Sequence, residues 1–171
     1  MARMLRLEYP GGLYHVTARG NERKDIFRSD GDRLRFLEKL AGCIQAHHVR
    51  VYAYVLMSNH FHLLVQTPRA NLSAFMQQLN TSYRVYFNRR YRRTGHLLGG
   101  RYKAPVVEGD EYLLTLKRYV HLNPVQIRTV RSLPLEERVK WLAEYRWSSY
   151  PEYVGRRKRV EWLDYGRWRD V

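Results

Sequence analysis

Residues 49–66 read VRVYAYVLMSNHFHLLVQ, and this stretch decides the fold. Apolar, β-branched and aromatic residues fill both halves of it, which is the composition of buried β-strands. The polar residues Ser58 and Asn59 follow Met57 and favour a tight connection between the halves. The stretch therefore predicts two strands, Val49 to Val55 and His60 to Gln66.

His60 and His62 are the first indication of function. Successive side chains of a strand point to opposite faces of its sheet, so both imidazoles lie on one face and Phe61 lies on the other. Two aligned imidazoles are the start of a metal site. A half-buried strand with ordinary surface histidines has the same pattern, so this pair alone does not decide between the two interpretations.

Hydrophobic periodicity predicts the remaining elements. Leu13 to Ala18 is a first strand, Asp30 to Ala46 a helix, Tyr102 to Val107 a fourth strand and Asp110 to Asn123 a third helix. A long second helix begins after Asn71, which we expect to cap it. The apolar stripes expected to form core are Leu34, Leu37, Leu40 and Ile44 on the first helix, and Leu72, Phe75, Met76, Leu79, Tyr83 and Phe87 on the second.

The order β-α-β-β-α-β predicts an α+β fold that resembles a ferredoxin-like plait, in which helices pack on one face of a central antiparallel sheet. The other face would stay open. We assign residues 1–155 to one domain, with Cys43 as a core residue, and 156–171 to a basic aromatic tail. The tail either packs on the domain or begins an extension of a longer chain; its residues are Arg156 to Arg159, Trp162, Leu163, Tyr165 and Trp168.

A second motif, Tyr119-Val120-His121-Leu122-Asn123-Pro124, ends the third helix, because Pro124 cannot continue the hydrogen-bond ladder. Tyr119 and Asn123 are four residues apart, which places their side chains on one helical face, about 6 Å apart along the axis. The Asn123 carbonyl oxygen could thus join the two imidazoles around an ion, with the phenol beside it. Taken singly, any of the 14 tyrosines is better explained as a core residue.

The other histidines are poorer ligand candidates. His121 lies about 200° round the helix axis from Tyr119, on a different face. His47 and His48 are adjacent at a helix end, where their side chains diverge. We interpret His15 as a lone hydrogen-bonded residue.

The chain carries 31 Lys and Arg against 16 Asp and Glu, a formal charge of +15. Such a potential attracts a polyanion, for which DNA, RNA or an anionic surface are candidates. No run approaches the roughly 18 apolar residues of a membrane span, so we expect a cytoplasmic protein without a membrane partner. Basic and aromatic residues that suit a single strand cluster around the end of the second helix: Arg84, Arg89, Arg90, Arg92, Arg93, Arg101 and Lys103, with Tyr83, Tyr86, Tyr91 and Tyr102 among them.

Five motifs together resemble the REP-associated tyrosine transposases, an IS200-like transposase group within the HUH single-strand endonuclease superfamily. The resemblance covers about Leu7 to Gly155, and the motifs occur in the order of that family. They are YHVTARGN at 14–21, MSNHFH at 57–62, GGRYKA at 99–104, RYVHLNPV at 118–125 and WSSY at 147–150.

The resemblance implies metal-dependent cleavage of single-stranded DNA. His60, His62 and Asn123 would hold a divalent ion, for which the resemblance favours Mg or Mn over the zinc that imidazole also suits. Tyr119 would attack phosphorus to give a covalent 5′-phosphotyrosine and a free 3′-hydroxyl. Many members of the superfamily have Gln at the position of Asn123, and the shorter amide requires a closer helix.

The resemblance also implies recognition of repetitive extragenic palindromes, whose hairpins lie beside a short single-stranded tetranucleotide. We expect Arg19 and Asn21, after the first strand, and Arg101 and Lys103, on the fourth, to contact DNA together with Arg93. A solvated loop and a charged edge strand are the alternative explanation for these residues.

Three functions are consistent with the sequence. The first is an endonuclease and strand transferase that uses Tyr119, which we expect to act in cis in a monomer, with a dimer as the alternative. The second is a non-catalytic module that binds hairpin DNA or RNA. The third is a metal-dependent hydrolase in which water attacks the phosphate and Tyr119 only packs.

Overall fold

The computed structural model describes residues 7–166. At its centre is a three-stranded antiparallel sheet in the order β1-β3-β2. The strands are β1 (Gly12–Arg19), β2 (Arg50–Leu56) and β3 (His60–Thr67). The helices found in these residues are α1 (Asp30–His47), α2 (Leu72–Arg90), α3 (Asp110–Leu122), α4 (Arg128–Arg131), α5 (Leu135–Glu144) and α6 (Tyr150–Tyr153). The predicted α+β fold is confirmed.

The predicted hairpin forms, and its bounds agree with the prediction to within one residue. β3 lies in the middle of the sheet, so both of its edges are hydrogen-bonded, to β1 on one side and to β2 on the other. A β-bulge between Val51 and Ala53 inserts one extra residue into β2. Tyr52 and Ala53 consequently both belong to one side of the sheet, whereas Val51 and Tyr54 belong to the other.

On one face of the sheet, α1 and α2 pack together over an aromatic core. The six residues predicted for the core face of α2 are all buried. The stripe predicted for α1 is confirmed for Leu40, which is buried, and for Leu37 and Ile44, which pack against the core. It is wrong for Leu34, which is 55% exposed, and it missed the buried Phe36. The Phe36 ring lies 4.8 Å from the Phe61 ring, so burying this larger side chain sets the rotation of α1.

The opposite face of the sheet is not open as expected, because α3 packs on it. Leu113, Leu116 and Val120 of α3 are buried against Val55 and Leu64 of the sheet. The helix ends at Leu122, and a 3-10 helix, Asn123–Gln126, continues from it. Because these apolar residues form one side of α3, the other sides of the helix are left to face solvent or the neighbouring part of the sheet.

The predicted fourth strand, Tyr102 to Val107, is not a continuous strand. It runs beside β1 and makes isolated antiparallel bridges, with Lys103 opposite Thr17 and Val106 opposite Tyr14. The carbonyl of Pro105 accepts a hydrogen bond from the N–H of His15 at 3.1 Å. Proline has no N–H to return, so the ladder is interrupted there.

The tail packs against the edge of the sheet at β2. Leu163 is buried and forms a parallel bridge with Val51. The carboxylate of Glu152, itself fully buried, accepts hydrogen bonds from Arg157 and from the Tyr165 hydroxyl, both at 2.6 Å. This buried charge pair connects the tail to α6. Trp168 lies outside the described residues.

Between residues 7 and 166, no helix is both long enough and apolar enough to cross a bilayer.

Glu152→Gln should lower the free energy of unfolding by about 2–3 kcal/mol, because it leaves the Arg157 guanidinium facing a neutral amide in a buried position. Urea denaturation measures this. The matched control is Glu38→Gln, since the Glu38–Arg35 pair is exposed and its loss should change stability by no more than about 0.5 kcal/mol. Equal losses in the two variants would contradict a stabilising role for the buried pair.

Candidate active site on the α3 face of the sheet

The two histidines of the hairpin lie on the face that α3 covers. Pairing with β1 places Arg19 opposite His60 and Thr17 opposite His62. The His60 and His62 rings are 5.1 Å apart, and Phe61 between them points into the α1–α2 core. The alternation predicted from the sequence is confirmed for these three residues.

Tyr119 and Asn123 come from the end of α3 and meet the histidines. The Tyr119 ring centroid is 5.7 Å from that of His62, and the phenol side chain remains 51% exposed. Asn123 keeps helical backbone angles, so its side chain stays on the face of Tyr119. Its Oδ1 lies 3.4 Å from Nε2 of His60. The structure therefore brings together the four residues predicted for the reaction and the metal.

Hydrogen bonds determine which nitrogen of His60 carries the proton. The Asn59 amide donates from Nδ2 to the Arg23 carbonyl at 3.0 Å, which turns its Oδ1 toward His60. Nδ1 of His60 lies 2.7 Å from that oxygen and must donate to it, because a carbonyl oxygen only accepts. In the neutral ring Nε2 then keeps its lone pair. The lone pair of His60 Nε2 thus faces the side-chain amide of Asn123.

His15 belongs to the site, so its interpretation as a lone residue is wrong. Its Nε2 lies 2.8 Å from Nδ1 of His62, and the two rings stack with centroids 5.0 Å apart. The Thr17 hydroxyl is 3.0 Å from the same Nδ1. A neutral His62 that donates from Nδ1 keeps the lone pair of Nε2 available to a ligand. The alternation of His15, Thr17 and Arg19 along β1 was the sequence signal for this arrangement.

Burial keeps the imidazoles of the site neutral. It lowers the pKa of His62 to about 3, with further contributions from His15, His60 and Arg19. Burial also lowers the pKa of His60, followed by the positive charge of Arg19. For His15, burial alone lowers the pKa. Neutral imidazoles are the form that binds metal ions.

The described residues contain no group of three or more His, Cys, Asp or Glu side chains arranged to hold a metal ion. The candidate set is instead two imidazoles and one amide oxygen: His60, His62 and Asn123. Nε2 of His60 and Oδ1 of Asn123 are 3.4 Å apart, and each can offer a lone pair to a single cation. Imidazole nitrogen suits zinc and other transition metals, whereas amide oxygen suits magnesium and manganese.

Four of the five predicted DNA-contact residues lie on β1, directly after it or on the segment that runs beside it. Arg19 is exposed beside His60, and Lys103 is opposite Thr17, so both belong to the row of residues that contains the histidines. Arg101 is exposed just before Lys103, at the edge of the sheet. Asn21 is exposed after β1, where its N–H donates to the Leu97 carbonyl. A positively charged edge therefore borders the candidate site.

Arg93 lies in the opposite layer, because its guanidinium is 5.7 Å from the ring of Phe87 in the α1–α2 core. Two tyrosines of the basic cluster have structural roles. The Tyr86 and Tyr91 hydroxyls donate hydrogen bonds to the buried Asp32 carboxylate at 3.1 and 2.7 Å. Tyr83 is itself buried. These three tyrosines are consequently not surfaces for stacking bases, contrary to the expectation from their spacing.

His121 is directed away from the site, as its position on the helix predicted. Its Nε2 lies 2.8 Å from the Ser149 hydroxyl, which also accepts from the Tyr54 N–H at 3.0 Å. This chain of hydrogen bonds connects the end of α3 to β2. Burial lowers the pKa of His121 to about 3, and the nearby Lys117 adds to this effect.

Comparisons with known proteins indicate a family and a fold. The model of the family described as "Transposase IS200 like" matches residues 9–123. A REP-associated tyrosine transposase bound to a REP hairpin has a similar structure, with a TM-score of 0.70 and 15% identity, covering 100% of this chain and 99% of that one. A protein of Deinococcus radiodurans R1 assigned as a transposase has a TM-score of 0.49 and 15% identity, covering 70% and 95%. At these identities the likeness concerns the fold. No curated protein matches.

Lowering the pH from 6.5 should destabilise the protein, because unfolding releases His62 and His121 to bind protons that the folded state excludes until about pH 3. Each contributes a slope of at most about 1.4 kcal/mol per pH unit. His121→Gln should therefore flatten the profile of unfolding free energy between pH 6.5 and about 5. Above pH 7 the difference in unfolding free energy between His121→Gln and the unmodified protein should not change with pH. If the two profiles of unfolding free energy ran parallel between pH 6.5 and about 5, His121 would not be neutral and buried in the folded protein.

Proposed function

Because this chain belongs to the IS200-like transposase family, we propose that it is a metal-dependent endonuclease and strand transferase for single-stranded DNA, and that Tyr119 is its nucleophile. The observation that carries the proposal is the position of an exposed phenol against two neutral imidazoles. One helical turn further along, Asn123 faces His60 with its carbonyl oxygen. Membership of the family supports a role in transposition and DNA as the partner.

His60, His62 and Asn123 would hold a divalent cation, Mg²⁺ or Mn²⁺, through two nitrogen atoms and one oxygen atom. When bound, such an ion supplies positive charge that polarises a scissile phosphate. All three ligands are neutral, so they do not cancel that charge. His15 and Thr17 would orient the His62 ring from behind, and Asn59 would do the same for His60.

Tyr119 would attack phosphorus through its phenolic oxygen. The new bond joins that oxygen to phosphorus, the phosphorus–O3′ bond breaks, and the phenolic proton is lost while the O3′ atom gains one. The products are a 5′-phosphotyrosine and a free 3′-hydroxyl. Because one phosphodiester replaces another, the covalent bond can be returned to a 3′-hydroxyl in the reverse step, which is what strand transfer requires.

Arg19 and Lys103 would contact phosphates on either side of the reacting one, since both are exposed and share the row of Thr17 and His62. Arg101 would extend the contact along the edge of the sheet. The solved relative is bound to a REP hairpin, and we propose hairpin DNA of that type for this chain. Tyr119 lies 5.7 Å from His62 of the same chain, and we propose a monomer that uses Tyr119 in cis.

A labelled single-stranded hairpin incubated with the protein and Mn²⁺ should give a covalent protein–DNA band on a denaturing gel. Tyr119→Phe should abolish the band, because no phenolic oxygen remains to attack. Tyr112→Phe is the matched control: Tyr112 lies on the same helix, is 50% exposed, and should keep the band at full intensity. Cleavage without a covalent band would indicate the water-using hydrolase, and binding without cleavage would indicate a recognition module.

His15→Ala should weaken Mn²⁺ binding by about tenfold or more, because His62 loses the partner that fixes its ring. His15→Gln, which restores a polar partner, should recover part of the affinity. Electron paramagnetic resonance of free Mn²⁺ measures this without any turnover. His47→Ala is the control, since His47 is bonded to Gln78 in the other layer. Unchanged Mn²⁺ affinity in His15→Ala would show that His15 does not position a ligand.

A further inference from the structure

The turn that follows β1 has a strained backbone. Glu22 and Arg23 are adjacent and exposed, and their φ angles are 54° and 59°, in the left-handed region. Residues other than glycine enter this region at a cost in free energy, and they remain there only where the surrounding contacts hold them. Two such residues in succession indicate that the turn keeps a particular group in place.

Hydrogen bonds fasten both ends of this turn to the connection between β2 and β3. At its start, the N–H of Gly20 donates to the Asn59 carbonyl at 2.8 Å. Beyond its end, the N–H groups of Ile26 and Phe27 both donate to the Ser58 carbonyl, at 2.9 and 3.0 Å. Ile26 and Phe27 are also buried in the α1–α2 core. The turn is therefore held beside Asn59 from both sides.

Gly20 allows the turn to close tightly. A β-carbon at this position would overlap the carbonyl oxygen of Lys24. Within the turn, the N–H of Arg23 donates to the Gly20 carbonyl at 3.0 Å, and the N–H of Lys24 donates to the Asn21 carbonyl at 3.0 Å. The chain consequently folds back on itself over five residues, and this path directs the Arg23 carbonyl toward the start of β3.

The Arg23 carbonyl determines how the Asn59 amide is oriented. It accepts a hydrogen bond from Nδ2 of Asn59 at 3.0 Å, and Oδ1 of Asn59 then lies 2.7 Å from Nδ1 of His60. An asparagine amide can present either its oxygen or its nitrogen to a neighbour, but a carbonyl oxygen accepts only from the nitrogen. The position of one backbone oxygen therefore decides that His60 meets an acceptor.

Two side-chain oxygens compete for the single proton of a neutral His60. Oδ1 of Asn59 is 2.7 Å from Nδ1, whereas Oδ1 of Asn123 is 3.4 Å from Nε2, so Asn59 has the better hydrogen-bond geometry. A proton on Nε2 would face Asn123 and remove the lone pair that a metal ion needs. A proton on Nδ1 leaves the lone pair of Nε2 available.

We propose that the strained turn from Gly20 to Lys24 is a positioning element that selects the metal-binding tautomer of His60 through Asn59. The proposal deepens the proposed function and rests on it for the role of His60 as a ligand. It assigns a task to a segment that is neither a ligand nor the nucleophile, and whose effect on His60 passes through a backbone carbonyl.

Nitrogen NMR of isotopically labelled histidine reports which ring nitrogen carries the proton. The protein is measured free of metal and DNA, at a slightly alkaline pH, and the His60 signals are identified by their loss in His60→Gln. We expect the proton on Nδ1 in the unmodified protein. Asn59→Ala removes the acceptor of that proton, which should then move to Nε2 or divide between the two nitrogens. An unchanged Nδ1 proton in Asn59→Ala would overturn the proposal.

Two substitutions of the exposed Arg23 form a matched pair that tests the turn itself. Both remove the same charge, but glycine adopts a φ of 59° freely, whereas the β-branched valine resists it. Arg23→Gly should keep the His60 proton on Nδ1. Arg23→Val should shift it toward Nε2 and weaken Mn²⁺ binding by about tenfold, as measured by electron paramagnetic resonance of free Mn²⁺. Gly20→Ala should act like Arg23→Val, because its β-carbon displaces Lys24.

The same tautomer of His60 in Arg23→Val and Arg23→Gly, or the same Mn²⁺ affinity, would refute the role of the turn. The covalent protein–DNA band is scored separately. If Asn59→Ala and Arg23→Val shift the tautomer while the unmodified protein forms no band, the proposed chemistry fails and the effect of the turn on His60 stands. A band in the unmodified protein, with an unchanged tautomer in both variants, would support the chemistry and refute the positioning.

Discussion

The antiparallel register between β1 and β3 is the constraint on which the rest of the site depends. It places Thr17 opposite His62 and Arg19 opposite His60. The hydroxyl and the guanidinium of β1 therefore lie beside the two imidazoles of β3. Shifting the register by one residue would turn both histidines into the α1–α2 core. Phe61, Leu63 and Val65, which alternate with the histidines, are buried in that core and would have to become exposed. Burial of the apolar residues of β3 thereby determines the face of the sheet on which its histidines lie.

Packing of α3 on the second face of the sheet brings the remaining residues of the candidate site to the histidines. Leu113, Leu116 and Val120 anchor the helix on β2 and β3, and the same rotation aims Tyr119 and Asn123 at the imidazoles. The cover is partial, so the histidines are buried enough to stay neutral while the phenol remains accessible. That combination serves the proposed reaction, because a cation needs uncharged nitrogen ligands and a polymeric substrate needs an open approach to the nucleophile.

Local patterns predicted much of the fold. The hairpin, the bounds of α1 and the buried face of α2 follow from the period of apolar residues, as does the placing of Tyr119 and Asn123 on one helical face. What local patterns missed depends on contacts between residues far apart in the sequence.

Phe36 rather than Leu34 sets the rotation of α1, because only the assembled core shows which side chain meets Phe61. The sequence alone does not show that the hydroxyls of Tyr86 and Tyr91 donate hydrogen bonds to Asp32, which lies more than fifty residues away in the chain. His15 joins the site only through strand pairing.

The most direct test of the account is to map the covalent bond. The protein is reacted with single-stranded hairpin DNA and Mn²⁺, the DNA is degraded to a nucleotide remnant, and tryptic peptides are analysed by mass spectrometry. The account predicts a nucleotide phosphate on Tyr119, within the peptide from Tyr119 to Arg128. An adduct on another tyrosine, such as Tyr112 on the same helix, or cleaved DNA with all peptides unmodified, would contradict it.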